Sequence, residues 1–145
     1  MGAKNVKAIL FQGDCKRPVF DEEKVKKMAK QIAAAGKDNP GAHAYKSMGT
    51  SQLVKVVNSA GAFPTRYWSE GTYDKWEEIS ADAFHEKCDV KPSACGQCFM
   101  ACGRSTTIKA GRHAVMKLEG PEYETIYAFG GLCMIDSIEE IAYLN

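Results

Sequence analysis

The chain lacks any apolar run approaching the ~20 residues that a membrane-spanning helix needs. Its first residues, Met1-Gly2-Ala3-Lys4-Asn5, lack the apolar core of a secretory signal. No internal repeat or low-complexity stretch is present. Charge of neither sign dominates: 19 Lys and Arg against 18 Asp and Glu leave a formal net charge of +1. That balance gives no electrostatic case for a nucleic acid or an acidic membrane surface as partner. What is there is 145 residues, 45% hydrophobic and 26% charged, an ordinary soluble composition. Such a chain is about one domain in size and can bury roughly two thirds of its unfolded surface. Six cysteines without a leader predict a reducing cytoplasm, and a metal rather than disulfides.

Three of those cysteines fall within eight residues, Cys95-Gly-Gln-Cys98-Phe-Met-Ala-Cys102. A C-x2-C-x3-C run with Gly96 inside it and Gly103 after it can wrap three thiolates around one soft metal centre. Three converging thiolates suit an iron–sulfur cluster or zinc, each with a fourth ligand from elsewhere. The plainer use of such residues is as small buried hydrophobes. For zinc, His85 or Cys88 stands a short loop upstream. A dithiol redox site at Cys95-Gly-Gln-Cys98 would need a strand before it and a helix opening at the first cysteine. Lys91-Pro92-Ser93-Ala94 does not read as a strand. The reverse order, C-x3-C-x2-C, which would point to radical chemistry with S-adenosylmethionine, is absent.

Along the chain, Val6–Phe11 reads as one strand of a sheet completed by other sequence, since a lone strand has no partner. Gly2-Ala3-Lys4 reads as a loop rather than a phosphate-cradling turn. From Asp21 an amphipathic helix is predicted, capped by Asp21, with Glu22 and Glu23 in its first turn. Val25, Met28, Ala29, Ile32 and Ala33 form its apolar face, opposite a solvated face of Lys24, Lys26, Lys27 and Lys30. Asp38-Asn39-Pro40-Gly41 reads as a turn. A short helix follows Gly49-Thr50-Ser51 and ends near Asn58, with Gly61 as its C-cap. Ala62–Trp68 is aromatic-rich and without period, suited to packing a loop on the core. Ser80 starts another short helix.

After the cysteines, Arg104–Ile108 and His113–Leu118 flank a glycine turn and predict a hairpin. Gly120-Pro121 stops it and makes Pro121 the first residue of a helix carrying Glu122 and Glu124, which Gly130-Gly131 ends. Carboxylates at such a position are favoured by the helix dipole alone. A last helix opens at Asp136-Ser137, with Ile138, Ile141 and Leu144 as its apolar side.

Four pieces, in order, carry a family resemblance: Met1-Gly-Ala-Lys-Asn-Val-Lys-Ala-Ile9; Gly61-Ala-Phe-Pro-Thr-Arg66 with Ile79-Ser80; Cys95-x2-Cys98-x3-Cys102; and Glu119-Gly-Pro-Glu-Tyr-Glu124 with Gly131-Leu-Cys133. Together they span nearly the whole chain, which resembles the middle of a tungsten-containing aldehyde:ferredoxin oxidoreductase. The resemblance implies a mainly α fold with a small β component (α+β): a helical middle domain with one hairpin and an N-terminal strand. It implies that residues 1–13 end the sheet domain holding a tungsten, or molybdenum, bis-pterin (molybdopterin), and that 14–145 are part of the helical domain. Cys95, Cys98 and Cys102 would bind a [4Fe-4S] cluster that passes electrons from aldehyde oxidation to ferredoxin. An acidic residue matching Glu122 or Glu124, with Glu124 the preferred one, would lie near metal and substrate.

The departures are equally specific. Most of the pterin domain, the first D-x-x-G-L pterin motif and the fourth cluster cysteine of the family lie outside this sequence, and Tyr67 stands where the family often has asparagine. The expectation is therefore a fragment or subunit that works with the remaining pterin and C-terminal domains and is inactive alone. A non-catalytic iron–sulfur or zinc electron-transfer module, or part of an aryl-CoA reductase relative, is the alternative.

Overall fold

The computed structural model describes residues 2–16, 18–96 and 98–145. By contacts the chain divides into Met1–Gln31 and Ile32–Asn145, a boundary inside the first long helix. The predicted strand at Val6–Phe11 is not formed: these residues are irregular, with Leu10 and Phe11 each 88% exposed. An apolar run has no hydrogen-bonding partner without a neighbouring strand, so its sequence propensity alone does not make it β. Helix α1 (Glu22–Lys37) forms as expected. Asp21 accepts a hydrogen bond from the Lys24 amide at 2.9 Å, which satisfies one of the unpaired N–H groups of the first turn. The predicted apolar face stays open, with Val25, Met28 and Ile32 all more than half exposed.

Within Ile32–Asn145, helix α2 (Pro40–Met48) occupies a stretch that reads in the sequence as a turn and nothing more. Asn39 caps it through the Ala42 amide, and Pro40 takes the first helical position, where its missing N–H is harmless. A 3-10 turn (Thr50–Gln52) leads into α3 (Leu53–Ser59). Gly61, at φ +70°, follows its end and donates to the Asn58 carbonyl. Ser80 caps α4 (Ala81–Lys87), which runs straight into β1 (Cys88–Ser93). Strands β2 (Gly103–Ile108) and β3 (Lys117–Glu119) complete an antiparallel sheet in the order β1-β2-β3.

The hairpin is present, but its second strand is shorter than the expected His113–Leu118, since residues 112–115 are turn and only Lys117–Glu119 pair with β2. Strand β1 adds a strand through Lys91-Pro92-Ser93, against expectation. Proline cannot donate to a ladder, and β1 is an edge strand, where that loss is tolerated. In β2, Arg104, Thr106 and Ile108 are buried while Ser105 is exposed, the alternation of a strand with one face inward.

Glu122 precedes α5 (Tyr123–Thr125), so Pro121 lies outside the helix. Helix α5 passes into a π-helix (Ile126–Leu132) that runs through Gly130 and Gly131 rather than ending at them. Both glycines permit close approach. A Cβ on Gly130 would meet Ile79 Cδ1 at 2.5 Å, and one on Gly131 would collide with the Pro64 carbonyl and the Phe63 ring. Ser137 caps α6 (Ile138–Leu144) by accepting from the Glu140 amide. The core of this unit is Val54, Phe63, Ile79, Phe84, Ile108, Ile126, Ile138 and Ile141, each fully buried. The structure is α-rich with one small sheet. Among the described residues no helix is long and apolar enough to cross a membrane.

Candidate metal centre and flanking carboxylates

The sheet is what positions the cysteines. Antiparallel pairing of β1 with β2 ends at Ser93 opposite Gly103, so residues 94–102 are the connection between two paired strands. Hairpin connections are usually two to five residues, so this one is long, and it holds all three clustered cysteines. Within it the Cys98 amide donates to the Cys95 carbonyl at 2.9 Å, closing a turn between the first two. Ala101 takes a left-handed φ of +49°, bending the chain before Cys102. Cys95 and Cys98 are exposed and Cys102 is half-buried; all three are free thiols.

Among the described residues no three histidine, cysteine or carboxylate side chains are gathered closely enough to hold an ion. The donor chemistry nevertheless fits a thiolate-ligated cluster, with three free thiols on one connection that begins with a turn and is fixed at both ends.

Neither upstream candidate ligand joins them. Cys88 sits at the opposite end of β1 from the loop, roughly 16 Å along an extended strand from Ser93. It is 1% exposed, and burial, reinforced by the Glu139 charge, pushes its thiol up to about 11. A group held neutral in this way serves as a small hydrophobe. His85, on α4, has its Nε2 buried with no hydrogen-bond partner among the described residues. Burial lowers its pKa, and the Arg104 charge adds to that. Cys133 is exposed after the π-helix. A strand does precede Cys95, but among the described residues no helix opens there, so the dithiol redox arrangement is incomplete.

The two glutamates differ sharply. Glu122 is half-buried and accepts a 2.5 Å hydrogen bond from Thr50 Oγ1, which in turn accepts from the Tyr123 amide at 2.9 Å. Thr50 therefore supplies the capping contact that Glu122 does not make itself. Glu124 is exposed, and among the described residues its carboxylate has neither a hydrogen bond nor an ion pair. One carboxylate is held in place, and the other is available.

The residue that sequence reasoning missed is Arg104. Its side chain is 1% exposed, yet among the described residues no carboxylate pairs with it. It donates instead to five main-chain carbonyls. Tyr45, Lys46 and Ser47 at the end of α2 accept at 2.9 to 3.1 Å. Ala101 accepts at 3.0 Å and Cys102 at 3.3 Å, at the end of the cysteine loop. A cation at a helix C-terminus is favoured by the dipole and satisfies its unpaired carbonyls. Burial pushes its pKa down, against the opposing charges of Glu122 and Cys102. The sequence signal was there in the period-two pattern: if Ile108 faces the core, so do Thr106 and Arg104.

Comparison with known proteins gives the family of the chain. The profile of the family described as "Aldehyde ferredoxin oxidoreductase, domains 2 & 3" matches residues 27–145. Tungsten-containing aldehyde ferredoxin oxidoreductases from Pyrococcus furiosus and Pyrococcus horikoshii are 30% and 32% identical to it across the whole chain. That from Pyrococcus abyssi is 31% identical, again over the whole chain. The chain spans 24% of the first of these relatives and 23% of the other two, about a quarter of their length. It belongs to the aldehyde ferredoxin oxidoreductase family.

Proposed function

We propose that this chain is part of a tungsten or molybdenum bis-pterin aldehyde oxidoreductase, contributing the cluster loop and a substrate-side carboxylate. The observation that carries the reading is the 94–102 loop, which offers three free thiols from one connection pinned by the Ser93–Gly103 pair. Residues 1–13 are then the end of the pterin-binding sheet domain, and the remaining pterin and C-terminal domains complete the enzyme. Oxidising an aldehyde with water gives a carboxylic acid, two protons and two electrons. When bound, the metal–pterin supplies the two-electron acceptor, and a [4Fe-4S] cluster the one-electron exit to ferredoxin.

This chain's own residues have narrower tasks. Cys95, Cys98 and Cys102 supply three thiolates, with the fourth from the C-terminal domain. Glu124, whose carboxylate is exposed and unpaired among the described residues, receives one of the protons released as the hydrated aldehyde is oxidised. Glu122, engaged by Thr50, fixes the start of α5 and so the position of Glu124. The reading is tested by purifying the chain without oxygen, loading it with iron and sulfide, and analysing its metal. Iron and sulfide in equal amounts with broad visible absorption support it. Stoichiometric zinc without that absorption replaces it with a zinc module.

A further inference from the structure

We infer that Arg104 is a positioning residue that places an unpaired positive charge under the Cys102 end of the cysteine loop and so favours the reduced form of a cluster held there. The inference rests on the cluster reading above and deepens it.

Three observations carry it. The guanidinium is buried, and all five of its partners are neutral carbonyls, so its charge is not cancelled by any ion pair among the described residues. It grips the loop itself, at the carbonyls of Ala101 and Cys102, which brings it within a side chain's length of the Cys102 sulfur. The site is also shaped for it: a Cβ on Gly49 would stand 2.6 Å from Arg104 Nε and 3.1 Å from the Cys102 carbonyl.

The nearby Glu122 charge offsets the burial of Arg104 only in part, and a buried cation with no direct ion pair is expensive unless something anionic comes to it. Three thiolates around a cluster are that anion, and each electron taken up adds one negative charge. Coulomb's law at an effective dielectric of about 20 gives a tenfold change in a one-electron equilibrium for a unit charge about 12 Å away. Cys102 is well inside that range. Burial also keeps the charge from being screened by salt.

A purely structural Arg104 would tie α2 to the loop and leave the potential unmoved. The test therefore compares the wild-type chain with R104Q, which keeps neutral donors, and R104K, which keeps the charge. Each is loaded with iron and sulfide without oxygen, with a small thiol present for the fourth position. The reduced-to-oxidised ratio is read by visible absorption at the wild-type midpoint, and folding by circular dichroism. R104Q is expected to lower the ratio by at least about tenfold, which is 59 mV for a one-electron couple, while R104K stays within about threefold of wild type. An unchanged ratio in folded R104Q overturns the inference and leaves the cluster reading standing. If R104Q does not fold, R104K decides: a ratio within about threefold supports the charge, and a tenfold shift contradicts it. A wild-type chain that takes up no iron and sulfide overturns both.

Discussion

Gly49 leaves the space that the Arg104 guanidinium fills. At φ +71° and ψ −166° it occupies a backbone region open essentially to glycine, and a Cβ there would meet Arg104 Nε at 2.6 Å. Gly49→Ala therefore both strains the chain and displaces the arginine from the α2 carbonyls. The expected loss is about 2 kcal/mol or more in denaturant unfolding. A variant as stable as wild type would show that the guanidinium moves aside freely.

Gly131 meets backbone rather than a flexible side chain. Its Cβ would press on the Pro64 carbonyl and the Phe63 ring, both part of the buried core. Gly131→Ala should lose about 3 kcal/mol or more, or fail to fold. The π-helical turn at Ile126–Leu132 would then be a packing requirement, and thermal unfolding of the variant measures it.

Cys88 gives the chain a pH dependence of known sign. Its folded-state pKa is raised to about 11 from an ordinary 9.0, so the folded form holds a proton that the unfolded form releases. Stability is fully present below pH 9 and is lost as pH rises towards 11, by roughly 2 to 3 kcal/mol. Cys88→Ala should flatten that loss, at the expense of a lower plateau from the cavity. Unfolding midpoints measured from pH 7 to pH 11 test this, and an identical slope in the variant would assign the loss to other groups.

The two glutamates make a paired prediction for protein joined to the rest of the enzyme. Glu124→Gln should lower turnover by roughly two to four orders of magnitude, because a proton acceptor is removed. Glu122→Gln keeps a neutral acceptor for Thr50 and should change turnover by less than about tenfold. The reverse pattern in steady-state aldehyde oxidation would move the proton-handling role to Glu122.

Much of the helical frame was legible because helix ends carry local chemistry. Asp21, Ser80, Ser137 and Gly61 act where cap rules put them. The β structure was less so. Pro92 argues against a strand until one knows that β1 is an edge, a fact of topology and not of sequence. Val6–Phe11 shows the converse, since its β propensity yields no strand in the structure. Asn39-Pro40 looks like a turn and is also a helix start, because a cap and a first-turn proline use the same residues as a turn. Gly130-Gly131 reads as a stop, but the demand at those positions is space for Ile79 and Phe63. The cysteine run was plain from its spacing alone. Arg104 was legible only in part: the period-two pattern turns it inward with Thr106 and Ile108, but the α2 carbonyls that receive it are long-range partners that no local pattern shows.

The assignment of the cluster ligands is tested most directly by replacing each cysteine singly with serine and loading each variant with iron and sulfide without oxygen. Visible absorption and bound iron should fall sharply for Cys95→Ser, Cys98→Ser and Cys102→Ser, and stay at wild-type levels for Cys88→Ser and Cys133→Ser. Full loading of any of the first three, or loss of the cluster in folded Cys88→Ser or Cys133→Ser, would contradict the account.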